Sequence, residues 1–159
     1  MTDRIDLDGF DLAILASLQA DGRIGNQELA DRVHLSASQC SRRRIRLEEA
    51  GIVRGYRADL DPARLGLAVI VFTRVTLAAH SRDNARRFAE LIAGLDCVLE
   101  AFSMTGDSDY LLKIIVPDLK ALSEVVNGAL LPHDSVASVR SSVVLDTLKD
   151  AAPLPLPRA

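Results

Sequence analysis

The front of the chain carries apolar residues at helical spacing. Phe10, Ile14 and Leu18 recur every four residues, and Asp8 stands where the free amide groups of a first helical turn favour an acid. Gly22 then ends the pattern, because glycine adopts the left-handed conformation beyond a helix end at little cost. The spacing predicts a helix that buries its apolar stripe in a core.

Two further helices are predicted to follow. The second begins at Asn26, a good N-cap residue, and the third begins after Ser36, because Ser36 and Gln39 have the spacing of a capping box. Three helices with a tight turn before the third are typical of a helix-turn-helix, whose last helix enters the major groove of DNA.

The pattern changes after a polar turn region that contains Pro62 and Gly66. β-Branched runs that predict strands now alternate with stretches of helical period. The predicted elements are a strand at 68–77, a helix at 82–94, strands at 98–105 and 109–116, a helix at 119–130 and a strand at 136–145. This βαββαβ order is that of the ferredoxin-like fold, an antiparallel four-stranded sheet with both helices on one face. The predicted class is α+β, with a helix-turn-helix (winged-helix-like) domain in front.

The sheet of such a domain has one face without a helix. We expect this bare face to carry Val69, Val71, Val75 and Leu112 or their neighbours, and pairing two sheets would cover the patch. The alternative is a monomer covered by its own C-terminal segment, but "DAAPLPLPRA" is short and rich in proline. The predicted organisation is a helix-turn-helix domain at 1–60, a linker at 61–66, a second domain at 67–149 and a flexible tail at 150–159.

Composition narrows the class of protein. Of the 159 residues, 48% are hydrophobic and 26% are charged, which indicates a packed globular protein. No apolar run approaches the roughly 20 residues that span a bilayer, and the acidic N-terminus is unlike a signal peptide. Cys40 and Cys97 lack the spacing of a zinc site or a disulfide framework, so we expect reduced thiols in a cytoplasmic protein without metal or cofactor.

Four arginines crowd the third predicted helix, "SASQCSRRRIRLEEAG", although the formal net charge of the chain is −3. Cys40 and Leu47 share one helical face, with Arg44 between them. Arg42 and Arg46 point roughly the opposite way, where arginine can donate two hydrogen bonds to guanine. Taken alone, the cluster could equally be a solvated charged face. Its position after the tight turn, and further arginines beyond it, favour contact with DNA.

We therefore expect a DNA interface on this helix and just beyond it. The polar residues near its N-terminal end are suited to base edges, and glutamine pairs with adenine. Arg43 lies on the flank and is expected to reach a phosphate, whereas Arg44 points inward, to cover the core with its stem or to meet an acid of the first helix. The candidate DNA-binding residues are Ser38, Gln39, Ser41, Arg42, Arg43, Arg46, Arg54 and Arg57.

The loop "TGDSDY" between two predicted strands contains Asp107 and Asp109. The two carboxylates could bind a metal, form an acid–base pair or shape the hairpin turn, for which Gly-Asp-Ser is well suited. The three histidines lie in other segments, so a metal site lacks its remaining ligands. No nucleophile stands near a base in the sequence and no phosphate-binding glycine pattern occurs, so we do not expect an enzyme.

Two longer stretches of the sequence resemble a known family, the run "LDGFDLAILASLQADGRIGNQELADRVHLSASQCSRRRIRLEEAGIVRGYRADLDPARLG" and the run "MTGDSDYLLKIIVPD". The first is similar to the DNA-binding half of the Lrp/AsnC family, the feast/famine transcriptional regulators, and the second is similar to that family's ligand-domain signature. Three residues depart from the family pattern, since His34 replaces a usual glycine, Ala37 a usual proline and Arg44 a common apolar residue. Histidine tolerates the left-handed geometry of the turn better than most residues.

The resemblance implies a dimer formed through the bare sheets, often assembled further into tetramers or octamers. It also implies that the loop lies between dimers and receives a small effector. A loop carboxylate suits an α-ammonium group, and free loop amides suit an α-carboxylate. The implied effector-binding residues are Met104, Thr105, Gly106, Asp107, Asp109 and Ser141.

These patterns together predict a transcriptional regulator that binds a roughly palindromic site in double-stranded DNA and responds to a small effector. We expect this effector to be an amino acid. The alternatives are an amino-acid-binding module whose helical front contacts protein, and an enzyme or enzyme subunit built on the ferredoxin-like half. Salt-dependent DNA binding would distinguish a transcriptional regulator from the first alternative, and catalytic turnover would support the second.

Overall fold

A computed structural model describes residues 6–157 of the chain. These residues form two compact units, a helical unit that runs to Asp59 and also includes the chain from Lys149 onward, and a sheet unit, Leu60–Leu148. Residues 1–5 of the predicted first domain and residues 158–159 of the predicted tail lie outside the described residues.

The helical unit contains three helices, α1 (Gly9–Ala20), α2 (Asn26–Val33) and α3 (Ala37–Glu49). The capping box predicted before α3 is confirmed, because Ser36 and Gln39 each accept from the backbone amide of the other. The N-cap prediction for α2 is wrong by one residue, since Gly25 is the N-cap and Asn26 begins the helix. His34 ends α2 in the left-handed conformation, with φ 56°.

The helical unit buries a core between its helices, but not all of the predicted stripe of α1. Phe10 remains 44% exposed, with its ring 5.5 Å from the guanidinium carbon of Arg43. Asp11, the next residue, is instead only 1% exposed. The buried apolar residues are Ile14, Leu15, Leu18, Ile24, Leu29, Ala30, Val33, Cys40 and Leu47.

The C-terminal segment lies against this helical unit. The Gln19 side chain accepts a hydrogen bond from the Leu154 amide at 2.6 Å and donates one to the Leu154 carbonyl at 3.2 Å. Leu156 packs against the helical core. The segment predicted to be a flexible tail thus packs against the helical unit in the structure. Its flexibility in solution stays a prediction.

The sheet unit has the predicted βαββαβ order. Its elements are β1 (Val69–Leu77), α4 (Arg82–Ala93), β2 (Val98–Ser103), β3 (Tyr110–Val116), α5 (Leu119–Glu124), which continues as a π-helical segment over Val125–Leu130, and β4 (Val136–Val143). The strands lie in the order β2-β3-β1-β4, and every neighbouring pair is antiparallel. This arrangement brings the ends of β1 and β4 beside the hairpin loop between β2 and β3.

Of the residues predicted for the bare sheet face, the four named ones lie on the helix-covered face, and it is their neighbours that lie on the bare one. Val71, Val75 and Leu112 are fully buried, and Val69 packs with them in the core. Because successive side chains of a strand alternate between faces, the bare face carries the intervening residues. Directly opposed residues share a face, so the bare face includes Phe72 with Lys113, Arg74 with Leu111 and Arg140, and Phe102 with Leu111.

Candidate functional site

The outer surface of α3 holds most of the residues predicted to contact DNA. Cys40 and Leu47 are fully buried and attach the helix to the core, as their spacing predicted. Burial raises the pKa of the Cys40 thiol. Ser38, Gln39 and Arg42 are exposed, and Ser41 is partly exposed. The Gln39 carbonyl oxygen accepts from the amide and the hydroxyl of Ser36 at 3.0 Å and 2.9 Å, so the capping box leaves the Gln39 NH₂ group as its outward donor.

Arg43 and Arg46 are both held by one buried carboxylate of α1. Asp11 accepts from Arg43 at 2.8 Å with one oxygen and from Arg46 with the other. Asp8 accepts a second bond from Arg43, also at 2.8 Å. These hydrogen bonds, with Asp11 first and Asp8 second, raise the pKa of Arg43. The flank arginine is therefore already engaged before any phosphate is bound.

Arg44 points inward as predicted, but its partners differ from the expected acid of the first helix. Its Nε donates to the Tyr56 hydroxyl at 2.8 Å, and the guanidinium carbon lies 4.6 Å from the Tyr56 ring centroid. It also donates to Glu48 and to the Ile24 carbonyl, each at 3.2 Å. The aromatic ring and three acceptors explain how a charged side chain occupies this half-buried position.

Six of the eight predicted DNA-binding residues line two separate clefts of the helical unit, and Ser38 and Ser41 line neither. One, of about 320 Å³, is lined by Asp8, Gln39, Arg42, Arg43 and Arg46. Arg42 forms no ion pair with any residue of 6–157, which makes it the arginine of this cleft whose guanidinium is open to a ligand. Arg54 and Arg57 line the other cleft, of about 580 Å³, where Leu154 and Leu156 also lie.

In the sheet unit, the loop residues Met104, Thr105 and Asp107 come together at a cleft of about 520 Å³. Residues of β1 and β4 that were not among the predicted effector-binding residues form the other side of this cleft. Arg74 and Arg140 are directly opposed on β1 and β4, and neither they nor Asp107 form an ion pair with any residue of the described chain. The remaining lining residues are Thr76, Ser108 and Ser138. Arg74 is the one charged residue of the strand "VIVFTRVTL", which is the signal that could have identified it.

Three further predicted effector residues are placed differently. Gly106 forms the turn of the loop with φ 112°, a conformation that other residues rarely adopt. Asp109 points to the end of β1, where it accepts from the Leu77 amide at 2.7 Å and lies 3.3 Å from His80. Ser141 exchanges a hydrogen bond with the buried Thr73 at 3.0 Å, on the helix-covered face of the sheet. The structure therefore does not bring Asp109 or Ser141 into the cleft.

Two domain families match this chain. Residues 7–54 match a winged helix-turn-helix DNA-binding domain, and residues 70–154 match the Lrp/AsnC ligand binding domain. The chain belongs to the Lrp/AsnC family. It is a DNA-binding transcriptional regulator, as the resemblance of its sequence predicted.

The similarity to other proteins covers nearly the whole chain. The leucine-responsive regulatory protein of Rhizobium meliloti is 41% identical over 151 residues, which cover 95% of this chain and 97% of that protein. The Bkd operon transcriptional regulator of Pseudomonas aeruginosa is 40% identical and spans 94% of this chain and 99% of its own length. A transcriptional regulator from Neisseria meningitidis, solved as an L-Met complex, has 41% identity and a TM-score of 0.90, covering 94% of this chain and 97% of its own.

The described residues contain neither a membrane-spanning helix nor a cluster of metal-binding side chains. Within residues 6–157, none of the helices is both long and apolar enough to cross a membrane. Over the same residues, no three His, Cys, Asp or Glu side chains are grouped so that they could hold a metal ion.

Proposed function

We propose that this chain reads its DNA site with the outer surface of α3 and changes that binding when an amino acid occupies the cleft beside Asp107. The observation that carries the proposal is the presence of two charged sites, one in each unit. One is an arginine-lined face on the third helix of a helix-turn-helix, and the other is a cleft with open charges of both signs in the ligand-binding domain.

On the DNA side, the contacts have different roles. Arg42, flanked by Ser38 and Ser41, reads base edges, because arginine pairs with guanine and serine donates to several bases. Arg43 and Arg46 each keep N–H groups beyond those given to Asp11, and these meet a phosphate or a guanine at the groove wall. Gln39 donates to a base through its free NH₂ group. Arg54 and Arg57, outside that cleft, contact the phosphate backbone.

On the effector side, the cleft matches the two charges of a free amino acid. Asp107 binds the α-ammonium group, and Arg74 or Arg140 binds the α-carboxylate, with Met104 and Thr105 beside them. The L-Met complex of the neisserial regulator and the leucine-responsive regulators among the relatives support an amino acid as the ligand. We assign Asp109 a role in holding the loop rather than in touching the ligand.

The bare sheet face supports assembly into a dimer. Phe72 and Phe102 are 40% and 46% exposed there, and pairing two such faces would remove this apolar surface from water. Two copies of α3 then read a roughly palindromic operator with half-sites about 34–36 Å apart or a multiple of that distance. We propose further assembly of dimers into tetramers or octamers, a cytoplasmic site of action and no catalytic activity.

The experiment that tests this function selects binding sites for the full chain from a random duplex pool. We expect a palindromic consensus that the protein binds at least about 10³-fold more tightly than random duplex at physiological salt. Binding without sequence preference would contradict the proposal. Binding to no DNA at any salt concentration would favour the alternative in which the helical front contacts protein.

The effector is tested by thermal shift with each amino acid in turn. A ligand that binds only the native state at about 100 times its Kd adds roughly 2.7 kcal/mol to the free energy of unfolding. We expect at least one amino acid to raise the melting temperature. Chemical conversion of that amino acid by the protein would support the enzyme alternative instead.

A further inference from the structure

The outermost line of α3 contains one apolar residue, Ile45. Positions 38, 42, 45 and 49 follow one another at helical spacing, opposite the buried Cys40 and Leu47. Ser38, Arg42 and Glu49 occupy three of these positions and are exposed. Ile45 occupies the fourth and is 49% exposed, so half of a β-branched hydrocarbon side chain faces solvent in the middle of the reading surface.

Ile45 is not needed by the core of the helical unit. That core is formed by residues of all three helices without a contribution from Ile45. Its neighbour Arg44 shows the inverse arrangement, because the charged side chain turns inward to Tyr56 while the aliphatic one turns outward. A helix with these two side chains exchanged would place charge outside and hydrocarbon inside, so packing alone gives no reason for an outward isoleucine.

We propose that Ile45 determines specificity by packing against the C5-methyl group of a thymine in the major groove. This inference rests on the proposed function, in which α3 lies in that groove. Among the base edges there, the thymine methyl is the apolar group, whereas the other groups donate or accept hydrogen bonds. Ile45 lies three residues after Arg42 and four after Ser41, so the three side chains adjoin on the helix surface and reach neighbouring base pairs.

The size of the effect follows from the apolar area of one methyl contact. Burying one CH₂-sized group corresponds to about a fourfold change in affinity, and a well-packed contact reaches about tenfold. Replacing one thymine by deoxyuridine removes the methyl and leaves every hydrogen-bonding group of the base unchanged. The substitution therefore isolates the apolar contact from the hydrogen bonds of Arg42 and Ser41.

The experiment uses the full chain and the consensus duplex from the selection described above. Each thymine of one half-site is replaced singly by deoxyuridine, and Kd is measured for the wild type, Ile45→Ala, Ile45→Val and Ile52→Ala. Ile52 is a matched control, since it is an isoleucine of the same unit, 37% exposed, that lies beyond α3. Alanine is a good helix former, so Ile45→Ala keeps α3 intact.

We expect one thymine whose replacement weakens wild-type binding about three- to tenfold. Ile45→Ala should bind the thymine duplex and the deoxyuridine duplex equally. Ile45→Val should keep part of the preference for thymine, and Ile52→Ala should keep all of it. A thymine-to-deoxyuridine ratio that Ile45→Ala leaves unchanged, or a consensus in which no thymine responds, overturns the role of Ile45 while the proposed function stands. A wild type without any sequence preference overturns the proposed function, and this inference falls with it.

Discussion

Two aspartates, one in each unit, have opposite surroundings. Asp11 in the helical unit is 1% exposed, and both of its oxygens are bonded to arginines of α3. Asp107 in the sheet unit is exposed and faces a cleft with Arg74 and Arg140, with which it forms no ion pair in the described chain. One carboxylate already has its partners, and the other lies in an open cleft with two arginines.

This difference implies that the two proposed sites bind their ligands in different ways. On α3, the internal ion pairs fix Arg43 and Arg46 before DNA arrives, so less side-chain freedom is lost on binding. In the cleft, unsatisfied charges of both signs gain most from a ligand that brings the complementary charges with it. The proposed DNA face is thus preorganised, whereas the proposed effector cleft needs a ligand to pair its charges.

Asp11→Ala should have the largest effect on stability. Removing one partner of a buried ion pair costs about 3–5 kcal/mol, and the partial exposure of both arginines reduces this to roughly 2–4 kcal/mol. Urea denaturation measures the loss. Asp31→Ala on the exposed side of α2 is the matched control and should stay within about 0.5 kcal/mol of wild type. Equal losses in the two variants would contradict the structural role of Asp11.

Arg42→Ala should weaken binding to the consensus operator by about 1–3 kcal/mol and relax preference at one base pair. Arg54→Ala should weaken specific and random duplexes alike and reduce the slope of log K against log salt by about one unit. Anisotropy titrations at several salt concentrations separate the two patterns. Uniform losses for both variants would mean that α3 contacts only phosphates.

Asp107→Ala should abolish the response to the effector and leave the effector-free protein folded. At an amino-acid concentration of about ten times Kd, the wild type gains roughly 1.4 kcal/mol in the free energy of unfolding, and the variant should gain none. Asp134→Ala, an exposed aspartate in another loop of the same unit, should keep the full gain. A retained gain in Asp107→Ala would place the α-ammonium group elsewhere.

Asp109→Ala should have the smallest effect, on stability without effector. Loss of its part-buried hydrogen bond to the Leu77 amide should cost about 1 kcal/mol, the typical net contribution of one such bond. The effector-induced gain in melting temperature should be reduced but still present. A variant with wild-type stability and no response would instead make Asp109 a ligand-binding residue.

Local patterns predicted the elements well because capping and periodicity are properties of short segments. The Ser36–Gln39 capping box and the left-handed His34 both follow from a few neighbouring residues. The residues named first for the bare face of β1 were the wrong ones because most of "VIVFTRVTL" is apolar or β-branched, so alternation hardly distinguishes the two sides. Only the tertiary arrangement shows that Val71 and Val75 face the helices.

The partners of the charged residues in the two sites were less predictable, because they are distant in the sequence. Arg43 and Arg46 meet Asp11 across 32 and 35 residues of sequence, and helical spacing carries no information about such a partner. Arg74 and Arg140 become neighbours only because β1 and β4 pair in this register. The sequence therefore singled out the loop of the proposed effector cleft but not the strand residues opposite it.

We propose above all that an amino acid bound beside Asp107 changes how tightly α3 holds its operator. The most direct measurement is the Kd of the full chain for the labelled consensus duplex, with and without the amino acid that most raises the melting temperature. We predict a change of about 5- to 150-fold in the wild type and none in Asp107→Ala. An identical Kd with and without that amino acid in the wild type would contradict the account.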